Sequence, residues 1–556
     1  MSRFNLLDEP WLSVVVDDKG STKEVSLLDL FINAHQYKDL AGDTKTQDFA
    51  VLRVLLAVLH TVFSRFDADG NPYDYLEIDE RFRQIEEVEE DDIDKYEEDL
   101  YDTWTNLWEQ GKFPEIISQY LEKWRDRFYL FDDDYPFFQV RKEDIEVVLD
   151  LEKTSGTIYG KNINRLISES ENTYSIFSPK YGVQKNNDLL TEYEIARWLL
   201  SYQGYSGAGD KKKFTSQSGK HSIGWLYGLG GVYLHGNNLF ETLMFNLILP
   251  YNECDNLYHI QKPCWEFKSS EIVELANIDN IASLYTIWSR GIYIDPNINT
   301  TQPFSCRLAK IGKISEQDNF LEPMTLWKYN KTGVNRNTST PKKHLSNQAL
   351  WRSFGLLTID NAARKPGIID WLSDIKRDLG NKNIIISAIS MKDDDNPTSK
   401  VPTDEVIDSL SINDFIVTDL EKNGWVDRIN NEVEKTKEVI SRTYKEYIDD
   451  IKEIRKARSD LFTSQKVEEL YFKIDQPFRQ WLASLQPNDE KDTRVLEWRE
   501  TLDELVREEA ELTLHSGGPR DYIGIVKRDP NKDSSEFINI ATAYNKFNYC
   551  LNQNLK

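Results

Sequence analysis

Sulfur is scarce in this chain, whose 556 residues include four cysteines and four methionines. Cys254, Cys264, Cys306 and Cys550 stand far apart and form no CxxC pair. That excludes a zinc ribbon and a disulfide framework, and it fits reduced thiols in a cytosolic protein. Uninterrupted apolar runs are missing too. The longest apolar stretch, Phe49 to Phe66, is broken by Arg53, His60 and Arg65, so it is read as buried core, not as a membrane span. The opening Met1-Ser2-Arg3-Phe4-Asn5 has no basic segment leading into an apolar one. No signal peptide and a cytoplasmic location are therefore expected. Positive charge is also short: 68 Lys and Arg face 94 Asp and Glu, a formal net charge of −26. A surface that acidic repels polyanions, so any contact with nucleic acid is confined to local basic loops.

Familiar catalytic signatures are absent. There is no HExxH, no GxSxG and no kinase signature set. Gly209 is followed by Asp210, which rules out a Walker A loop, and Gly228-Leu229-Gly230-Gly231 lacks the dinucleotide-binding spacing. The seven histidines are scattered singly. Asp132-Asp133-Asp134 and Asp393-Asp394-Asp395 are carboxylate runs that a hard cation would accept, but neither carries a recognisable ligand pattern, and both read as turns. With 14 Trp and 27 Tyr, a carbohydrate-active hydrolase using paired carboxylates stands as the alternative class of function.

What the chain does have is local contrast. Ten acidic residues between Glu86 and Asp99 form one run, read as a solvated face. Against it stand two basic islands. One is Gly204-Tyr205-Ser206-Gly207-Ala208-Gly209-Asp210-Lys211-Lys212-Lys213, where glycines would let a backbone approach a ligand and lysines would supply charge for phosphates. The same composition also describes a solvated connection. The other is Thr301 to His344, with eight basic residues and three acidic ones. A third segment, Tyr174 to Lys185, interleaves aromatics with cations around Pro179, a chemistry that suits unpaired bases.

Periodicity divides the chain into two parts. Up to residue 411, short strands, helices and irregular connections alternate, predicting a large α/β (mixed α+β) domain. Trp11 to Asp17 reads as a strand, with Lys23 to Ser26 as its hairpin partner. Asp43 to Phe66 and Glu192 to Tyr202 read as helices, the second with Gly204 near its C-cap. Residues 412–556 predict a four-helix bundle over Glu421–Ala457, Thr463–Leu485, Asp489–Leu514 and Ser535–Leu551.

Several segments, in their order along the chain, resemble the CasA large subunits of type I-E CRISPR Cascade complexes. They are Phe4 to Val14, Leu27 to Phe31, Phe128 to Phe131, Tyr135 to Gln139 (with Tyr135 where histidine is usual), the glycine strip, Gly230 to Leu249, Trp288-Ser289-Arg290 and Glu322 to Trp327. The resemblance implies a non-catalytic subunit at the 5′-handle end of an RNA-guided antiviral complex. It implies that the subunit recognises a protospacer-adjacent motif in double-stranded DNA, largely from the minor groove. A wedge would then part the strands for guide pairing, and a helicase–nuclease would be recruited in trans. Partners would be target DNA, the CRISPR RNA 5′ handle and other Cascade subunits, with no membrane.

Carried onto this sequence, the DNA-contacting loop falls on Gly204, Gly207, Ala208, Gly209, Lys211, Lys212 and Lys213. Lys310, Lys313 and Lys328 are candidates for a minor-groove lysine. The wedge falls on Asp394 to Val401, with Asn396, Pro397 and Thr398 at its tip, and Pro397 departs from the family's usual amide side chains. The loop with Phe177, Lys180 and Tyr181 matches the family's contact with the guide handle. Some relatives carry a cysteine cluster, but only Cys306 lies in that region here, so no metal or other cofactor is expected.

Overall fold

The structure is a computed structural model that describes residues 4–170, 173–178, 188–209, 212–214, 223–251, 259–275, 277–359, 364–380, 382–394, 396, 400–528 and 535–555. Its first organising element is the helix Lys45–Phe63. No proline or glycine interrupts these 19 residues, and the Thr44 side chain caps the start by accepting from the Gln47 amide. Every residue from Thr46 to Phe63 is buried. By length and composition this helix could cross a membrane, yet all of it lies inside the protein. A helix buried all round has no wet face, so a charged side chain on it must find its partner inside the protein.

Arg53 does so against Glu322, with Nη1 and Nη2 each 2.8 Å from a carboxylate oxygen. The two residues are 1% and 0% exposed. The guanidinium also lies 4.1 Å from the Tyr285 ring centroid. Just past the helix end, Arg65 is fixed by Glu266 at 2.9 and 3.1 Å and by the carbonyls of Phe82 and Gln261, each at 2.7 Å. Tyr120 donates to the same Glu266 at 2.6 Å.

The chain forms two compact units. The first comprises residues 1–346, 360–378 and 385–409; the second comprises 347–359, 379–384 and 410–556. In the first unit, β1 (Leu12–Val15) pairs with β2 (Thr22–Val25) and β3 (Asp39–Leu40). The β1–β2 hairpin is the one expected from the sequence, with Leu12 opposite Val25. β4 (Thr157–Tyr159) and β6 (Arg290–Tyr293) flank β7 (Ser305–Lys310). β5 (Gly231–His235) pairs with the 385–389 part of β10 (Asn383–Asp393), whose other neighbour is β11 (Pro402–Asn413). β8 (Trp327–Asn330) and β9 (Thr338–Pro341) make a separate ribbon. β1 with β2 and β3, β5 with β10, β7 with β4 and β6, and β8 with β9 all pair antiparallel.

In the second unit, the helix Trp425–Glu438 continues through a π-type turn, Val439–Tyr444, into Lys445–Ile454. Leu461–Ser484, Lys491–His515 and Ile540–Asn554 pack with it. Ile429, Val433, Ile440, Ile448, Ile474, Phe478, Leu502 and Val506 make the seam, each 0% exposed. The mixed fold with a helical C-terminal part is as expected. The final helix differs from its prediction. Ser535–Ile538 is a strand, β13, paired with β12 (Ile525–Arg528), and the helix starts at Ile540. Asn539 sets that boundary, because its side chain accepts from the Thr542 amide at 2.8 Å and caps the helix there.

Arg53→Met should lose about 3–5 kcal/mol in chemical denaturation, because Glu322 would stay buried without its countercharge. Arg53→Met with Glu322→Leu should regain much of that. Burial pushes the His60 imidazole down to about 3. Its contribution is present above the unfolded value near 6.5 and is lost as pH falls from there toward 3. The melting midpoint of His60→Leu should therefore gain on that of the parent between pH 7 and pH 5.

Candidate nucleic-acid interface

The glycine strip begins inside a helix. Thr191 and Glu194 form a capping box at the start of Glu192–Tyr205, and the helix runs past its predicted end through Gly204. A methyl at Gly204 would come 2.7 Å from Leu226 Cδ1. Gly204 and Gly207 are both buried, so their missing side chains serve packing, and neither presents itself to a ligand. Ala208 and Gly209 are half-buried, while Lys212 and Lys213 are exposed. The strip thus emerges from the core along its length.

Arg290 holds the turning point. Its Nη2 donates to the Gly207 carbonyl at 2.7 Å and its Nε to Glu169 at 2.5 Å. Both side chains are buried. Ser206 and Ser289 hydroxyls meet at 2.9 Å. A methyl at Gly209 would overlap the Glu169 carboxylate, so this glycine also has a packing reason. Further on, Lys212 and Phe214 lie alongside β7: the Lys310 amide donates to the Lys212 carbonyl at 2.9 Å, and the Phe214 amide to the Lys310 carbonyl at 2.9 Å. Gly291 on β6 leaves the space that the Phe214 ring fills. The two lysines are therefore displayed from a pinned backbone.

Between β10 and β11, the described residues Asp394, Asn396, Lys400 and Val401 are tied to one another. The Asp394 amide donates to the Val401 carbonyl at 3.1 Å, and Asp394 Oδ1 accepts from the Val401 amide at 3.1 Å. The Lys400 amide donates to the Asn396 carbonyl at 3.0 Å, and Lys400 has a left-handed φ of 43°. The strip and this connection touch. A methyl at Gly207 would overlap the Lys400 carbonyl and press on Pro402 at 3.1 Å. Further along β11, Glu405 accepts from the Thr46 amide at 2.9 Å, which ties that strand to the N-terminus of the core helix.

Not every expected residue reaches the surface. Lys310 is 1% exposed, because it sits on the inward side of β7 opposite Arg290, so its ammonium is not displayed to a ligand. Lys313 is exposed beside Glu316, 3.3 Å away, and Lys328 is exposed on β8. Phe177 is half-buried, its ring 5.8 Å from that of Trp198 on the strip's helix. Lys180, Tyr181, Lys211, Pro397 and Thr398 lie outside the described residues. Asp132 closes a turn by accepting from the amides of Asp134 and Tyr135 at 2.8 and 3.0 Å. Among the described residues, no group of three or more His, Cys, Asp or Glu is arranged to hold a metal. Nothing in the sequence pairs Arg290 with Glu169, although Arg290 stands in the Trp288-Ser289-Arg290 segment that carries the resemblance.

The family model for CRISPR-associated protein Cse1 matches residues 5–508. The chain belongs to the Cse1 family. A CasA/Cse1 protein of Thermus thermophilus is 28% identical over 300 residues, which is 52% of this chain and 49% of that protein; the match thus spans about half the relative's length. The fold is similar to the crystal structure of Thermobifida fusca Cse1, with a TM-score of 0.77 and 22% identity over 99% of this chain and 98% of that one. Acidimicrobium ferrooxidans Cse1 gives a TM-score of 0.72 at 20% identity, over 99% and 98% of the two chains. A chain of a CRISPR RNA-guided surveillance complex gives 0.68 at 14%, over 99% of each.

Gly207→Ala should push the β10–β11 connection off the strip at a cost of about 1–3 kcal/mol. Amide hydrogen exchange should speed up across 392–402 while the far-UV spectrum stays unchanged.

Proposed function

We propose that this Cse1-family chain is the non-catalytic large subunit of an RNA-guided surveillance complex, one that reads a short motif in duplex DNA and helps open the duplex beside it. The observation that carries this reading is the seat of Gly207 under the Lys400 carbonyl. It makes the lysine-bearing strip and the β10–β11 connection neighbours within one unit.

The physics fits that division of labour. The minor groove distinguishes bases poorly and is read largely by shape. Ala208, Gly209, Lys212 and Lys213 would face the phosphate-lined groove, with Lys313 and Lys328 as further cations of the same unit. Parting a base step costs a few kcal/mol. A connection tied to the strip at Gly207 and to the core helix through Glu405 would resist being pushed back. Guide pairing would then carry the sequence information. In this reading the Phe177 loop meets the 5′ handle of the guide RNA and the neighbouring subunits. The helicase–nuclease is recruited in trans, and the work is done in the cytoplasm.

Binding of motif-bearing duplex by the assembled complex tests the reading. Lys212→Ala with Lys213→Ala should weaken binding and lower the salt slope of log K by about two, one per lost phosphate contact, while assembly is unchanged. An unchanged affinity and slope would remove the strip from the interface.

A further inference from the structure

The connection between β10 and β11 is held at both of its roots, and the two groups that hold them come from elsewhere in the chain. Tyr227 lies on the segment after Gly224, whose amide donates to the Ser206 carbonyl at 2.8 Å where the strip leaves its helix. The Tyr227 side chain is 1% exposed, and its hydroxyl donates to the Lys400 carbonyl at 2.6 Å. That carbonyl is the one against which Gly207 packs. Lys343 holds the other root. Its ammonium is 3.0 Å from Asp393 Oδ2, at the end of β10, and 4.0 Å from the centroid of the Tyr227 ring. One phenol therefore grips the outgoing root with its hydroxyl and carries on its face the cation that grips the incoming root.

The surroundings support the same reading. A methyl at Gly230 would overlap the Lys342 carbonyl, so the segment bearing Lys343 packs closely on the one that bears Tyr227. Burial lowers the proton affinity of Lys343 while Asp393 opposes that shift. Burial and the carboxylates of Asp393 and Asp394 raise Tyr227, so it stays a phenol and keeps its donor proton. The backbone at Lys400, with its positive φ, is one that L side chains rarely adopt, and it needs such partners to persist.

Building on the function proposed above, we propose that Tyr227 and Lys343 are positioning residues that lock the two roots of the β10–β11 connection, Asp393 and Lys400, to the glycine strip, so that capture of the motif and parting of the adjacent base pairs are mechanically coupled. Neither residue touches DNA in this scheme. Their loss would leave the strip's cations in place and let the connection retreat when pressed by the duplex.

The test uses the assembled complex with its guide and duplexes carrying a 2-aminopurine in the first base pairs beside the motif. Tyr227→Phe and Lys343→Met should each bind motif-bearing duplex within about two-fold of the parent, yet open it about ten-fold more slowly, the scale set by one lost buried hydrogen bond. A duplex mismatched at those first pairs should restore the parental rate, and Lys343→Arg should retain most of it. Opening at the parental rate by both Tyr227→Phe and Lys343→Met would overturn the proposal. So would a defect that the mismatched duplex does not relieve, or an equal loss of binding and opening. If Lys212→Ala with Lys213→Ala still weakens binding in that event, the clamp alone is refuted. If the parent complex ignores the motif, the underlying reading falls and the clamp falls with it.

Discussion

A guanidinium taken out of water must bring its counterion with it, and much of the first unit is arranged around that requirement. Arg53 meets Glu322, Arg65 meets Glu266 and Arg290 meets Glu169, all six side chains almost wholly enclosed. Removing two charges from water is costly, and only tight geometry with further hydrogen bonds offsets the penalty. In the third pair the help is on the arginine, which also donates to the Ser289 and Gly207 carbonyls; in the first two it reaches the carboxylate. Glu322 also accepts from the Trp225 indole at 2.6 Å and from the Met324 amide at 3.1 Å. Glu266 accepts from Tyr120. The partners are far apart in sequence, 269, 201 and 121 residues, so each pair is a long-range tie that fixes which segments meet. In a chain whose described cysteines are all free, these ties stand where cross-links would serve a secreted protein.

The third pair governs the candidate interface. By gripping the Gly207 carbonyl, Arg290 determines where the strip stops being core and starts being surface. The bulk of the chain is anionic, and at physiological salt its field fades over about 8 Å. Two exposed lysines on a pinned backbone therefore act locally, and their position matters more than their number. An acidic body also weakens indiscriminate association with nucleic acid.

The sequence carried the local elements well and the ties poorly. Leu12 to Val15 with Thr22 to Val25, the helix over Lys45–Phe63 and the long C-terminal helices follow from β-propensity and 3.6-residue periodicity. Ser535–Ile538 did not, because a four-residue strand before a helix leaves too short a pattern to separate from the helix itself. Lys310, a minor-groove candidate by the resemblance, is buried for a different reason: the register of β7 sets it opposite Arg290 on the inward side. The glycines were legible as close approaches of backbone, though what approaches them is Leu226, Lys400 and Glu169. Periodicity cannot say which glutamate an arginine will find two hundred residues away, nor that Tyr227 would reach Lys400.

Lys400 has a consequence of its own. With φ at 43°, a lysine there sits uphill of its ordinary conformations, whereas a glycine would sit level. The β-carbon thus narrows the backbone choices at the root of the connection, and the phenol, 2.6 Å from the carbonyl, favours the one adopted. Chirality is what this lysine contributes there.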